Sequence, residues 1–323
     1  MRTLKGVTAL AAIAVIAAAC GGGAASPSAA PPATAAPAES AAATTAPAES
    51  APATEAPSAV VAACAPASLQ TKTAGTFTIG ADNPAYPPYY QPSDPATDPW
   101  ELGDPTNRLG FEGRVAWSIA RNLGFVGDTV TWVVAPFNNA TGPGEKDFDI
   151  YLTQVSYSAE RAQAVDLSDG YYDVAQAVVA AKDSPLSKVT SIAALKDFQF
   201  GAQVGTTSLE TITTTIAPSK EAKVYDTNDL AVEALKNGQI DGLVVDLPTA
   251  FYITTGGQFP EGVIAGQFPA KEGGEHFSVV LDLGSPLTAC VNTAIGQLRD
   301  SGELARITQT QLSDNAAAPV YQP

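Results

Sequence analysis

From Thr76 onward, short alternating apolar segments are each followed by a stretch whose apolar positions recur every three to four residues. Residues 76–80 alternate and are rich in β-formers, which predicts a first strand. Phe111, Val115, Ile119 and Leu123 fall on one side of a helical projection, with Glu112, Arg114 and Arg121 on the other. That pattern predicts an amphipathic helix over 111–123, stopped by Gly124. Strands are predicted at 129–134 and 149–154, with 135–146, which holds Gly142-Pro143-Gly144, mostly a loop between them. The apolar, β-branched segment 171–181 reads as one strand long enough to pass between two lobes. Beyond it come a short helix at 192–198, a strand at 199–204, a helix near 209–216 and a strand at 223–225. Thr227 or Asn228 caps a helix that runs to Lys236, and a buried strand follows at 240–245. Pro248 opens the next helix at its tolerated first-turn position. Strands at 263–267 and 278–281 and helices at 287–300 and 302–312 complete the chain. The repeated strand–helix alternation predicts the α/β class.

Polar residues gather where the predicted strands end. The first strand runs into Ala81-Asp82-Asn83-Pro84-Ala85-Tyr86-Pro87-Pro88-Tyr89-Tyr90, where proline bars continuation. Its tyrosines therefore sit at the carboxyl end of a strand, where open α/β sheets collect ligands; packing of the loop on itself satisfies the same pattern. The Pro/Asp-rich stretch 91–108 is long for a connection, and its Trp100 has two open placements, over a pocket or on the outside. The strand at 149–154 delivers Ser156-Tyr157-Ser158-Ala159-Glu160-Arg161, with the arginine on the first turn of a predicted helix. Small donors beside one cation suit a carboxylate, and an ordinary solvated helix start gives the same local sequence. Gly205-Thr206-Thr207-Ser208 fits both an anion cradle and a simple helix cap. Asp246 is either a cap for the helix after it or a ligand contact.

Composition divides the chain. Arg2 and Lys5 precede an apolar run over 7–16, and Ala17-Ala18-Ala19 lead to Cys20. This reads as a signal segment over 1–20, too short for a membrane span. Residues 21–70 are mostly Ala, Pro, Ser and Thr, with APAES at 36–40 and again at 46–50. Such a stretch lacks the large apolar side chains needed to offset chain entropy and reads as a disordered linker, either a plain spacer or one that carries sugars. About 250 residues remain, enough for one large domain or two small lobes. With 33 acidic and 17 basic residues the net charge is −16, which argues against nucleic acid. Of the three cysteines, Cys64 and Cys290 remain once Cys20 is set aside. An even number in an exported protein predicts a disulfide between them, two separate thiols being the alternative. The single histidine, His276, has no partner spacing, so no metal site or cofactor is expected, and a Ser-His catalytic pair is disfavoured.

Five ordered segments carry a family resemblance: GTFTIGADNPAYPPYY, GFEGRVAWSIARNLG, FDIYLTQVSYSAERAQAVDLSDGYY, LKDFQFGAQVGTTS and ALKNGQIDGLVVDLPTAFY. Together they resemble the polar amino-acid type (family 3) of the solute-binding proteins that feed ABC importers. The small residues before Cys20 resemble the lipobox of bacterial lipoproteins, except that Ala17 stands where that family prefers leucine. Secretion with cleavage nearby is the other reading.

The resemblance implies a periplasmic-binding-protein-like fold, two α/β lobes joined by a two-segment hinge with a cleft between them. Lobe 1 would hold 71–179 and 278–316, lobe 2 would hold 180–277, and 317–323 would be a tail. It implies a receptor, lipid-anchored outside the cytoplasm, that captures an amino acid or related zwitterion and delivers it to an ABC permease, as a monomer. Arg161 resembles the residue that grips the ligand carboxylate, with Ser156, Thr206 and Thr207 as its further contacts. Asp246 resembles the partner of the α-ammonium. Tyr86 and Phe137 resemble the aromatics that enclose the side chain, and Asp82 matches a position that contacts a cationic side chain or caps its loop. Two departures, the long 91–108 loop and the Gly/Pro-rich 135–146, lie where the family builds its cleft. One rival is an enzyme resembling a dehydratase for a prephenate-like substrate, with Glu145, Glu160 or Asp246 as its acid. The other is a ligand-sensing domain for a signalling partner.

Overall fold

The computed structural model describes residues 64–269, 273–312 and 318–323; the expectations for the signal segment, Cys20 and most of the linker lie outside them. The described chain forms two five-stranded sheets and a two-stranded ribbon.

The first lobe is built on β1 (Phe77–Ala81), which pairs in parallel with β2 (Val130–Val134) and β3 (Ile150–Tyr151). All five residues of β1 are buried, as a central strand covered on both faces requires. Gly80 is needed there because the Phe148 ring would stand 2.7 Å from a Cβ. Helix α1 (Phe111–Asn122) buries Phe111, Val115 and Ile119, the stripe read from the sequence. The 82–110 loop is ordered around Asp104, which accepts from Ser93 and Thr106 and caps the turn Pro105–Asn107. Tyr89, Tyr90 and Trp100 are buried in the first-lobe core, which settles Trp100 as a packing residue. Where a loop was expected over 135–146, the chain makes a short helix, α2 (Phe137–Thr141). Pro136 at its N-cap and Gly142 after its end limit it to five residues.

The long strand expected over 171–181 is two strands. After β4 (Asp166–Leu167), β5 (Tyr172–Asp173) belongs to the two-stranded ribbon, whereas β6 (Gln176–Ala181) belongs to the second sheet. The chain turns between them because the two strands pair with different partners. The expected boundary at 179/180 therefore falls inside β6, and the second lobe's sheet begins at Gln176.

The second sheet has the order β10-β6-β9-β7-β8, using β7 (Phe200–Gln203), β8 (Lys223–Tyr225), β9 (Gly242–Asp246) and β10 (Gly262–Gln267). Helices α3 (Thr207–Glu210), α4 (Asn228–Lys236) and α5 (Leu247–Thr255) connect its strands. The helix expected at 209–216 starts earlier and widens into a π-helical stretch over Thr211–Ile216, a run of β-branched side chains that crowd an α-helix. The return to lobe 1 is also split. β11 (His276–Phe277) pairs antiparallel with β5, and β12 (Val280–Leu281) joins the first sheet between β3 and β4. The β5–β11 ribbon is thus the two-segment hinge. Helices α6 (Thr288–Asp300) and α7 (Glu303–Leu312) then pack on α1.

Two distant contacts complete the lobes. Cys64 and Cys290 are joined by a disulfide, Cα–Cα 5.4 Å. The terminal residues, expected as a tail, instead dock on the second lobe. Tyr321 donates its backbone N–H to Gln267, and Ile192 donates to Gln322. The Tyr321 ring is buried against Phe268, in space that Gly266 leaves open. Among the described residues no helix is long and apolar enough to cross a membrane.

Candidate functional site

The two lobes face each other across a cavity of about 110 Å³. Lobe 1 lines it with Asp82, Tyr86, Phe137, Gln154 and Arg161, and lobe 2 with Thr206, Thr207, Ser208, Asp229 and Asp246. Seven of the eight residues proposed from the sequence for ligand contact therefore reach one cavity. Ser156 is not among its lining residues.

Arg161 sits on a single 3-10 turn, Arg161–Gln163, rather than on the expected longer helix. The chain must leave this turn at once, because Asp166 already pairs with Leu281 in the first sheet. Ser158 Oγ accepts from the Arg161 backbone N–H at 3.1 Å. The guanidinium donates to the carbonyl of Ser156 and, across the cleft, to the carbonyl of Gly205 at 2.7 Å. It also lies 5.5 Å from the centroid of the Phe137 ring. Among the described residues no carboxylate oxygen comes within 4.0 Å of it. Burial pulls its pKa down, opposed chiefly by Asp246 and Glu275. Two neutral acceptors fix the guanidinium in place without an ion-pair partner in direct contact, the condition in which a carboxylate is bound well.

Asp246 ends β9 and precedes α5, but its side chain makes no cap hydrogen bond. It accepts instead from Gln176 Nε2 at 2.7 Å. Burial raises its pKa well above the usual carboxylate range, and the nearby Glu275 carboxylate raises it further. A cation beside it would oppose both effects and favour the ionised form. Asp82 accepts from the backbone N–H groups of Asn83 and Phe137, and burial raises its pKa as well. Tyr86 donates its hydroxyl to Asp229 across the cleft at 2.5 Å, and its ring lies 6.0 Å from that of Tyr252. Tyr89 meets Thr249 in the same way, their oxygens 3.1 Å apart.

The hydroxyl residues are engaged differently from one another. Thr206 caps α3, accepting from Leu209 N at 3.2 Å and donating to the Gln203 carbonyl. Ser156 and Thr207 both donate to Oε1 of Glu275, and Gln176 Nε2 reaches the same oxygen at 3.0 Å. Sequence reasoning missed Glu275, Gln176 and Asp229. Each lies far along the chain from its partners, and no local motif marks any of them. Of the three candidate acids for an enzymatic reading, only Asp246 lines the cavity. His276 stacks on Tyr157 at 5.5 Å, and among the described residues no group of three or more metal-binding side chains forms.

The cavity wall therefore carries three carboxylates, Asp82, Asp229 and Asp246, against one cation, Arg161. It can hold a small molecule with a carboxylate at one end and positive charge elsewhere.

Known proteins of the same build include the arginine-binding extracellular protein ArtP of Bacillus subtilis. It is 26% identical over 213 residues, spanning 65% of this chain and 80% of ArtP. A probable histidine-binding protein of Campylobacter jejuni is 28% identical over 192 residues, 58% of this chain and 70% of that protein. Among solved structures, an ancestral arginine-binding protein bound to glutamine superposes with a TM-score of 0.61 at 24% identity, covering 74% of this chain and 99% of its own. The model of one family matches residues 92–313, which include Arg161 and Asp246 of the cavity wall, while Asp82 and Tyr86 precede the matched region. The chain belongs to the bacterial extracellular solute-binding proteins, family 3.

Proposed function

We propose that this protein captures an amino acid outside the cytoplasm, with preference for one bearing a cationic side chain, and presents it to an ABC permease. The observation that carries the reading is the charge pattern of the cavity: a fixed Arg161 with no carboxylate of the described residues in direct contact, and Asp246, Asp82 and Asp229 on the same walls. Arg161 takes the α-carboxylate. Asp246 takes the α-ammonium, whose charge restores its ionised state. Asp82 and Asp229, with Tyr86 and Phe137 beside them, are left for a cationic side chain. The arginine- and histidine-binding relatives support the same ligand class. Glu145 and Glu160 do not line the cavity, which favours a binding protein over an enzyme.

Titration calorimetry with arginine, lysine, histidine, glutamine and cysteine tests the reading. The cationic amino acids are expected to bind at least about tenfold more tightly than glutamine or cysteine. Arg161→Ala is expected to weaken the best ligand by about 3–5 kcal/mol, since it strands a buried carboxylate. Equal affinity for all five, or an unchanged Kd in the variant, would refute the assignment. We further propose that Cys20 carries the lipid that holds a single receptor chain at the cell membrane. Cys20→Ser is then expected to move the protein to the soluble fraction, and unchanged fractionation would sink the anchor.

A further inference from the structure

The hydroxyls of Ser156 and Thr207 were both expected to face a ligand, yet both donate to one carboxylate oxygen of the protein itself. That carboxylate belongs to Glu275, directly before hinge strand β11. Ser156 belongs to lobe 1, and Thr207 opens α3 in lobe 2. The third donor, Gln176, is the first residue of β6 beyond the hinge. Its amide is oriented by the two carboxylates, Asp246 and Glu275, which accept from Nε2 and leave Oε1 to accept from Ser208 Oγ at 2.7 Å. One acceptor thus gathers donors from both lobes and from the hinge exit.

The backbone decides which of these contacts survives a hinge motion. Tyr157 N donates to the His276 carbonyl and Ser278 N to the Val155 carbonyl, so Ser156 and the chain around Glu275 travel together with lobe 1. Thr207 sits on lobe 2 and has no such backbone tie to Glu275. When the lobes part, the Thr207–Glu275 contact breaks and the Ser156–Glu275 contact persists. We infer that Glu275 is a positioning residue for ligand capture, an interlobe latch. Its carboxylate holds Thr207 against lobe 1 and biases the receptor towards its closed arrangement. A hydrogen bond to an ionised acceptor is about twice as strong as a neutral one, so the latch depends on the charge as well as on the shape of Glu275.

The test uses the full-length, ligand-free protein, so it stands or falls apart from the identity of the ligand. Fluorophores on genetically encoded ketone residues at exposed Val134 in lobe 1 and Leu230 in lobe 2 report lobe separation by energy transfer. Glu275→Ala is expected to lower the closed-to-open ratio about tenfold. Glu275→Gln, whose amide oxygen still accepts from both hydroxyls, is expected to fall between Ala and the wild type. A purely structural role would lower the thermal midpoint and leave the distance distribution as it was. Should Glu275→Ala fail to fold, Glu275→Gln and Thr207→Val carry the test, each expected to open the protein. The same distance distribution in the folded variants and the wild type overturns the inference.

Discussion

Each lobe is completed by a segment from far away in the chain, but the two closures differ in kind. In lobe 1, Cys64 reaches across 226 positions to Cys290 and is bonded covalently. In lobe 2, the terminal residues lie along the sheet edge and are held by backbone hydrogen bonds and one buried ring, Tyr321. The covalent closure works mainly by limiting the unfolded chain, whereas the docked one has to overcome its own ordering entropy with burial. The lobes also differ in chemistry. Lobe 1 brings the cation and two enclosing aromatics; lobe 2 brings Asp229, Asp246 and the hydroxyls. On the proposed function, a zwitterion would find its two principal partners, Arg161 and Asp246, on opposite lobes and be bound best when they meet.

The comparison breaks first at the disulfide. Cys64→Ser is expected to cost about 5 kcal/mol on the chain-entropy account of so long a loop, read from denaturant unfolding. A loss below about 1 kcal/mol would show that the staple contributes no more than surface packing. Tyr321→Ala probes the other closure and is expected to cost about 3 kcal/mol, the usual penalty for emptying a buried aromatic position. Hydrogen-exchange protection should then weaken in β10 and around Ile192 while β1 keeps its protection; equal loss in both lobes would contradict the separate closures.

The smallest effect is the pH dependence that one group in lobe 1 contributes. Glu112 is fully buried, accepting from Tyr171 Oη at 2.5 Å and from the backbone and side chain of Gln154. Burial outweighs those three donors and pushes its pKa up from 4.5 to about 7. Between roughly pH 4.5 and 7 the folded state holds a proton that the unfolded chain has already released, so stability from this group falls as pH rises through that window and is flat above it. Glu112→Gln cannot titrate, and the wild-type excess loss between pH 5 and 8 should vanish in it, by at most about 3 kcal/mol. Parallel stability curves for the two proteins would assign that slope to other groups, Asp246 in lobe 2 among them.

Much of the candidate site was legible because its residues stand where strands end. Asp82, Thr206, Thr207 and Asp246 follow apolar runs whose lengths fix their location, whichever role each then takes. The stripe of α1 was readable from its period, but Glu112, placed by that period on the opposite face, is fully buried by partners from distant segments. What escaped were features set by a partner elsewhere. Nothing local in 171–181 shows that Tyr172 pairs with Phe277 while Gln176 pairs with Asp246, so the hinge read as one strand. Tyr321 looked like part of a tail because the groove beside Gly266 is made by other segments. Glu275 accepts from residues 119, 68 and 99 positions away, a separation at which pattern carries no signal.

The bond between Cys64 and Cys290 also sets a path for force. Everything ahead of Cys64 is fastened, through that bridge, to α6 of lobe 1. Tension applied along the N-terminal chain enters this lobe without crossing the cleft or loading the β5–β11 ribbon. On the proposed function, lobe 2 would be the arm that swings onto the cargo while the other half of the molecule bears the pull.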